Sequence, residues 1–485
     1  MFKPHPMRLF ALTIAAMLAL AVSQGIAQSP PPPAEDPAAD SAELCTPESC
    51  PPASDDTPAW LKTIEDAKNP TDWLSLGADL RLREVWFKNA ITLSDKAPGN
   101  EYHFQRYRSR LWASAKPFED IDLSLNARLT WEFRNYCKPE SGDLRSVEWD
   151  EAVFDNLNIR WEKMLDTPLT VTVGRQDIIF GNGWLVLDGT PLDGSRTIFF
   201  DAARLTWDAQ EELCTIFDLV YIDNGVQSDR WIEPFNDQER NLIEQHERGA
   251  IFYATNTSLK DTRIDGYFIY KHDDHVLANG NDSDIYTFGA RVAGDVGENW
   301  KYRAEFAEQL GHQNGEDLCA TGFNGRLEYH FNDKNKNFVY MAYEYLSGDD
   351  PDTAKIEEFD PLWGRWPQFS EAYVYTYITE TRIADVTNLH RVGPGWGCEP
   401  TDKVSLNANY FLLFADQNTL GEQGVAGFTE AGSFRGQLVS AWMKYKFNEH
   451  VSGHLVGEFF CPGNYYDDSR NDPAVFLRYE LVFSW

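Results

Sequence analysis

The sequence predicts an all-β fold, a single transmembrane antiparallel β-barrel of 18 strands with short periplasmic turns and long extracellular loops. Three observations carry this. From Leu76 onward apolar and polar residues alternate with period two almost everywhere. The connections between alternating runs are by turns short and long, as barrels that cross an outer membrane require. After the first 27 residues no run of 18 apolar residues exists, so a helical membrane protein is excluded.

Residues 1–27 read as a secretory signal. Lys3 and Arg8 form a basic start, Leu9 to Val22 an apolar core and Gly25-Ile26-Ala27 a small-residue cleavage site. Residues 28–75 are expected to be a leader. Gln28 to Pro58 holds nine prolines and seven acidic residues with no basic one, a composition that buries no core, and a short helix is expected within Trp60–Trp73. Residues 76–485 are the expected barrel.

In the first strand Leu76, Ala78, Leu80 and Leu82 oppose Asp79, Arg81 and Arg83. The next two runs, joined at Lys116–Asp120, show the pattern best. Tyr107, Leu111, Ala113 and Ala115 share one parity, and Arg106, Arg108 and Arg110 the other. Then Leu123, Leu125, Ala127, Leu129, Trp131 and Phe133 oppose Arg128, Glu132 and Arg134. Side chains alternate across a strand, so each run has one oily face and one arginine-rich face. An unpaired charge in oil is very costly, which sends the second face to a watery lumen.

The following run sets Asp155, Leu157, Ile159 and Trp161 against Asn158, Arg160 and Glu162. Leu169, Val171 and Val173 lead to Gly174-Arg175-Gln176-Asp177, where the alternation slips and predicts a bulge. Later strands are expected to start near Ala203, Thr215, Gly249, Ile264, Tyr286, Trp300, Gly322, Asn337, Leu389, Val404, Phe434, Val451 and Ala474. The count of 18 holds if Ala372–Thr381 belongs to a loop rather than the wall. The last run, Val475 to Trp485, ends on an aromatic residue of outer parity, as expected of a barrel-assembly signal.

Three connections stand out for length: Phe180–Phe199, Asp223–Glu247 and Ser347–Asp385. The first is expected to fold inward and constrict the lumen, with the third as a second lid. Seven acidic residues crowd the second and nine the third, including Asp349, Asp350 and Asp352. Such clusters either solvate the surface or hold divalent cations.

The 485 residues carry a net charge of −33, which disfavours nucleic acid as a partner. Inward parity nevertheless collects Arg81, Arg83, Arg106, Arg108, Arg110, Arg128, Arg134, Arg160 and Arg204, and further round Arg291, Arg303, Arg326 and Arg478. Inward carboxylates such as Asp79, Glu132, Glu162, Glu305, Glu328, Glu458 and Glu480 are fewer. A low-dielectric wall focuses that excess and draws anions, unless the charges lock into a neutral lattice. With Arg175 at the bulge, the first nine arginines are the candidate pore-lining and substrate-binding residues.

No cofactor, metal site or catalytic residue is expected. G-x-S-x-G, H-E-x-x-H and P-loop patterns are missing, His272 and His275 make no ligand set, and the seven cysteines show no zinc spacing. Cys45 and Cys50 stand close enough in sequence for a small disulfide.

Gly174-Arg175-Gln176-Asp177-Ile178-Ile179-Phe180-Gly181, followed by Phe200-Asp201-Ala202-Ala203-Arg204-Leu205, resembles the alginate export porin family. Arg81-Leu82-Arg83 and Tyr107-Arg108-Ser109-Arg110-Leu111 are similar to its first hairpin. Tyr345-Leu346-Ser347-Gly348-Asp349 with Phe359-Asp360-Pro361-Leu362 resembles its late extracellular loop. The resemblance implies an 18-stranded barrel in the cell outer membrane of a Gram-negative-type bacterium, passing an anionic polysaccharide through an arginine-lined pore. The expected partners are outer-membrane lipid, the anionic polysaccharide or small anions, and a periplasmic secretion partner. A general nutrient or anion porin, or a β-rich enzyme acting on polysaccharide, are the alternatives.

Overall fold

A computed structural model describes residues 67–485 except 139–146, 150–151, 189–198, 227–231, 233–234, 236–244, 277–279, 366, 379 and 381–384. The expected signal, most of the leader and the Cys45–Cys50 pair lie outside the described residues.

The wall strands are β1 (Leu74–Lys88), β2 (Glu101–Ala115), β3 (Leu123–Lys138), β4 (Val153–Trp161), β5 (Leu169–Gln176) and β6 (Phe200–Ala209). Next come β7 (Thr215–Asn224), β8 (His246–Asn256), β9 (Thr262–Asp274), β10 (Ser283–Val296), β11 (Trp300–Gln313) and β12 (Glu316–His330). The circuit ends with β13 (Phe338–Leu346), β14 (Leu389–Thr401), β15 (Val404–Phe414), β16 (Phe434–Lys446), β17 (Val451–Pro462) and β18 (Ala474–Ser484). Each strand pairs antiparallel with the next, and β18 returns to β1 from Asp79↔Ser484 to Lys88↔Val475, closing an 18-stranded barrel. Closure leaves no open edge, so the wall strands satisfy their backbone groups on each other along the ladders.

Parity decides which medium each side chain meets. Leu111, Leu125, Ile159, Val173, Leu219 and Phe306 are large, apolar and exposed on the outer surface. Arg81, Arg83, Arg108 and Glu132, one residue out of phase with such positions, are buried inside. Ala372–Tyr377 forms a short helix, α1, within the loop after β13, and so stands in the loop rather than the wall.

Two local expectations are corrected. Gly174–Asp177 carries no bulge, since β5 and β6 pair without interruption from Leu169↔Trp207 to Gln176↔Phe200. Gly174 instead takes φ +119°, a conformation that keeps the ladder intact yet suits glycine alone. The register shift lies one hairpin earlier, where Arg128 pairs with Asn156 but Leu129 with Phe154. That extra residue turns Asp155 inward, against its expected apolar-side parity. There it accepts hydrogen bonds from Arg128 Nε and Thr130 Oγ1, both at 2.8 Å.

The lumen is not empty at its long-loop end. Ile178–Ile179 pairs with Leu187–Asp188, so that residues 180–186 form a hairpin tip pointing inward, with Phe180, Trp184, Leu185 and Val186 buried. The loop between β13 and β14 joins it: Val186 bridges Trp363, and the Trp363 amide donates to the Leu185 carbonyl at 3.0 Å. Phe359, Leu362, Trp363, Tyr373 and Tyr377 pack into one apolar core with Phe200, Ile251, Leu318, Leu438 and Phe460 of the wall. The described parts of both segments expected to fold inward do so and are fused into one plug; residues 189–198, 366, 379 and 381–384 lie outside the described residues.

Candidate functional site: a charged lattice and a basic vestibule

One side of the lumen is lined by β1, β2, β3 and β18. Here Arg81, Arg83, Arg106, Arg108, Arg110 and Arg134 converge on three carboxylates. Glu132 takes Arg106 and Arg134 at 2.9 Å each and Arg81 at 3.4 Å. Glu480 takes Arg83 at 2.5 Å and Arg81 at 3.7 Å. Asp79 accepts Arg110 Nε at 2.7 Å and lies 3.6 Å from Arg108. Cross-strand register explains the convergence: Arg81 stands opposite Arg108, Arg83 opposite Arg106 and Arg108 opposite Glu132. Like charges directly opposite repel, and each carboxylate is shared because it must serve more than one guanidinium. Among the described contacts, six guanidinium groups share these three carboxylates and tie β1, β2, β3 and β18 together.

The remaining candidates are spread more widely. Arg128 binds Asp155 and Asp177, both at 2.8 Å; Arg204 binds Asp218 at 2.8 Å; Arg160 binds Glu162 at 2.8 Å near the short-turn end. Arg160 is the most open of the set, with its side chain 49% exposed, against 2% for Arg81 and Arg83.

Arg175 is a correction. Its register partners are Leu157 and Asp201, and Leu157 and Val173 are exposed on the outer face, so Arg175 has outer parity. It is buried there against Asp201 at 2.8 Å, the Phe199 ring at 3.5 Å and the carbonyls of Phe154 and Ile232. It fastens the long-loop rim and lines no pore. The sequence suggests otherwise because the alternation slips at Gly174 and leaves the facing of Arg175 open.

The open part of the lumen lies across the barrel, on β10 to β16. A cavity of about 460 Å³ rises there from the short-turn end to the underside of the plug. Lys301, His330, Lys336, Glu399 and Lys444 stand at its mouth, and Asn182, Trp184, Pro367, Gln368 and Phe369 form its roof. Its middle holds Arg303, Asn324, Arg326, Tyr340, Asn409 and Trp442. Arg303 and Arg326 are direct cross-strand partners. The Arg326 guanidinium lies 3.6 Å from the centre of the Tyr340 ring and binds Glu328 at 2.7 Å. Arg391 sits between the Phe369 and Phe411 rings and is held by Glu344 at 3.0 Å. Lys301 and Lys444 form no ion pair among the described residues.

This cavity brings cations, side-chain amides and aromatic faces into one space. Its two free-standing lysines are not among the sequence's candidate site residues, although both have inward parity, because parity alone does not tell which half of the lumen stays open. The His272 ring is held between Asp274 at 3.1 Å and Asp284 at 3.0 Å.

A family model described as alginate export matches residues 72–476. No curated protein matches the chain. Among solved structures, Pseudomonas aeruginosa OccK9 (OpdG) superposes with a TM-score of 0.54 at 11% identity, covering 84% of this chain and 98% of that one. Pseudomonas aeruginosa OccD3 (OpdP) gives 0.51 at 10% identity over 84% and 91%. OccK5 (OpdH) of the same organism gives 0.51 at 10% over 84% and 97%. At such identities the likeness is one of fold.

Proposed function

The chain belongs to the alginate export family, and from that premise we propose that this outer-membrane channel conducts an anionic, uronate-bearing polysaccharide or its fragments along the basic wall of the vestibule. The observation that carries the reading is the placing of Arg303 beside Arg326, with Tyr340 against the latter and Lys301 and Lys444 below them. Two guanidinium groups side by side repel each other, and Glu328 answers Arg326 on one side, so a further carboxylate that reaches the pair from the lumen is drawn to it. The lattice around Glu132, Glu480 and Asp79 adds a standing positive potential from the far wall. Arg81, Arg83, Arg106, Arg108, Arg110, Arg128, Arg134, Arg160 and Arg204 contribute field in this way, the more open of them direct contact too.

Such binding has to remain weak and repeated, since a chain held tightly at one place does not move. No catalytic role is part of the proposal. A second reading, a pore for small organic anions, draws support from the volume of about 460 Å³, which suits one or two sugar rings beneath the plug. Planar-bilayer recordings separate the readings. Anion selectivity with block by polyuronate and none by a neutral oligosaccharide is expected. Block by monomeric uronate alone favours the small-anion pore, and cation selectivity overturns both.

A further inference from the structure

Two glycines of β14 leave the lumen wall bare, and two rings of β13 lie across the gap. Gly395 stands opposite Tyr340 and Gly397 opposite Phe338. A Cβ on Gly395 would fall within the Tyr340 ring, and one on Gly397 within the Phe338 ring, so each ring occupies the space a side chain would take. His330 of β12, opposite Phe338 on the other side, continues the row. Its ring centre lies 5.1 Å from that of Phe338 at 18°, and the Tyr340 centre 6.2 Å from it at 21°. The three rings are thus nearly parallel and offset, a paved strip along the wall of the vestibule.

The two rings of β13 are not equivalent. Tyr340 is 8% exposed; its face carries the Arg326 guanidinium at 3.6 Å, and its hydroxyl donates to Asn409. Phe338 lines the cavity and remains half-buried, its ring centre 6.0 Å from the same guanidinium. Glu328 holds that guanidinium from one side at 2.7 Å. A covered counterpart lies beneath the roof, where Arg391 is 4.6 Å from the Phe411 ring and binds Glu344, but Phe411 is 3% exposed and offers no face. An apolar ring open to a watery lumen has a hydration cost that a solute with an apolar face removes.

We infer that Phe338 is a platform for one sugar ring of the passing chain, with Arg326 placed beside it for that ring's carboxylate. The C–H bonds on one side of a pyranose make an apolar patch of positive partial charge, which suits an aromatic face and its negative quadrupole. Arg326, laid on Tyr340 and fixed by Glu328, keeps N–H donors within reach of the carboxylate on a ring so seated. A neutral ring leaves the guanidinium unanswered, and an acyclic polyanion leaves the platform bare. The site therefore distinguishes a polymer of uronic acid rings from an acyclic chain of equal charge. The inference rests on the channel reading above and adds to it the recognition of ring shape.

The test is block of single-channel current in the full chain by a hexameric uronate oligosaccharide and by hexaglutamate, an acyclic polycarboxylate of similar charge. Wild type is expected to be half-blocked by the sugar at a concentration at least about tenfold lower. Phe338→Leu keeps an apolar side chain without a flat face, and should bring the two concentrations within about twofold by weakening the sugar alone. Gly397→Ala, which lifts the ring off the wall, should do the same, while Phe338→Tyr keeps the preference. Heat-modifiable mobility shows that each variant is a folded barrel. Equal block of wild type by the two solutes overturns the platform, as does a Phe338→Leu channel that still prefers the sugar or that loses both blocks together. Those outcomes leave anion conduction standing. Cation selectivity in a salt gradient, with no block by either solute, sinks the proposed function and the platform with it.

Discussion

Gly249 and Trp363 occupy adjoining space with nothing to spare: the missing Cβ of one marks where the indole Cη2 of the other begins, 2.5 Å away. The Tyr270 carbonyl at 2.9 Å closes the other side, so neither neighbour can give way cheaply. Gly249→Val is expected to unseat Trp363, which also loses its Nε1 donation to Glu247 at 3.1 Å. Overpacking of this kind costs about 1–3 kcal/mol, borne here by the plug contact and not by the barrel wall. Conductance should rise while the heat-modifiable mobility of the folded barrel persists; a variant with unchanged conductance would show that Trp363 does not hold the plug.

Glu132 is the keystone of the arginine lattice. Removing its charge leaves Arg81, Arg106 and Arg134 to repel one another in a buried setting. Breaking a buried ion pair from one side costs about 3–5 kcal/mol, and here three cations lose one partner. Glu132→Gln should lower the urea midpoint for unfolding clearly more than Glu162→Gln, whose carboxylate is 48% exposed beside Arg160. Equal midpoints for the two variants would mean that the lattice adds no stiffness.

How far the fold was legible in the sequence follows from which physics writes itself into a period of two. Oil outside and solvent inside impose alternation on every wall strand, and Leu123 to Arg134 displays it without a break. Strand number and the inward turn of the two long loops followed from connection lengths. The facing of Asp155 did not, because one extra residue reverses parity while leaving local composition unchanged. Partnership was hidden for a different reason: Glu132 meets Arg81 across two intervening strand pairings, and no count of charges tells a shared carboxylate from a free one. Lys301 and Lys444 had visible parity, but their openness depends on which half of the lumen the plug roofs rather than fills.

Arg175 separates parity from proximity. Arg175→Met should leave the reversal potential unchanged, since the group lies on the outer face, yet strand Asp201 without its guanidinium at the rim. The expected cost is about 3–5 kcal/mol in unfolding free energy, read by urea titration in detergent. A shift in ion selectivity would return Arg175 to the pore.

Acid should loosen the loop between β13 and β14 where it is tied to the loop after β15. Asp416, in the loop after β15, accepts from the Gly348 amide at 2.9 Å and from His390 at 3.0 Å. Desolvation works against its charge, but these bonds and the His390 charge hold the carboxyl below its ordinary 3.8. A depressed acid stabilises the fold above its unfolded value, and that contribution is lost as the pH falls through the folded one. Protection of the Gly348 amide should therefore fade below about pH 4 in wild type. Asp416→Asn should show little further loss there, and a pH response equal to wild type would assign the effect elsewhere.

Selectivity should reside where the vestibule is least neutralised. Lys301 and Lys444 stand at the mouth of the cavity without ion pairs among the described residues, whereas Arg326, Arg391 and Lys336 each hold a carboxylate. Converting both lysines to glutamate removes two cations and adds two anions. A unit charge at 4 Å in water is worth about 1 kcal/mol, so several such charges along the entry path shift the cost for a monovalent anion by about 2–4 kcal/mol at low salt. The double variant should lower the anion-to-cation permeability ratio at least about tenfold, and the difference should shrink toward 1 M salt as screening shortens to about 3 Å. Arg81→Met, made in the buried lattice, should change the ratio much less while costing more stability. The reverse ranking, with selectivity set at Arg81 and indifferent to Lys301 and Lys444, would move the solute path to the other wall.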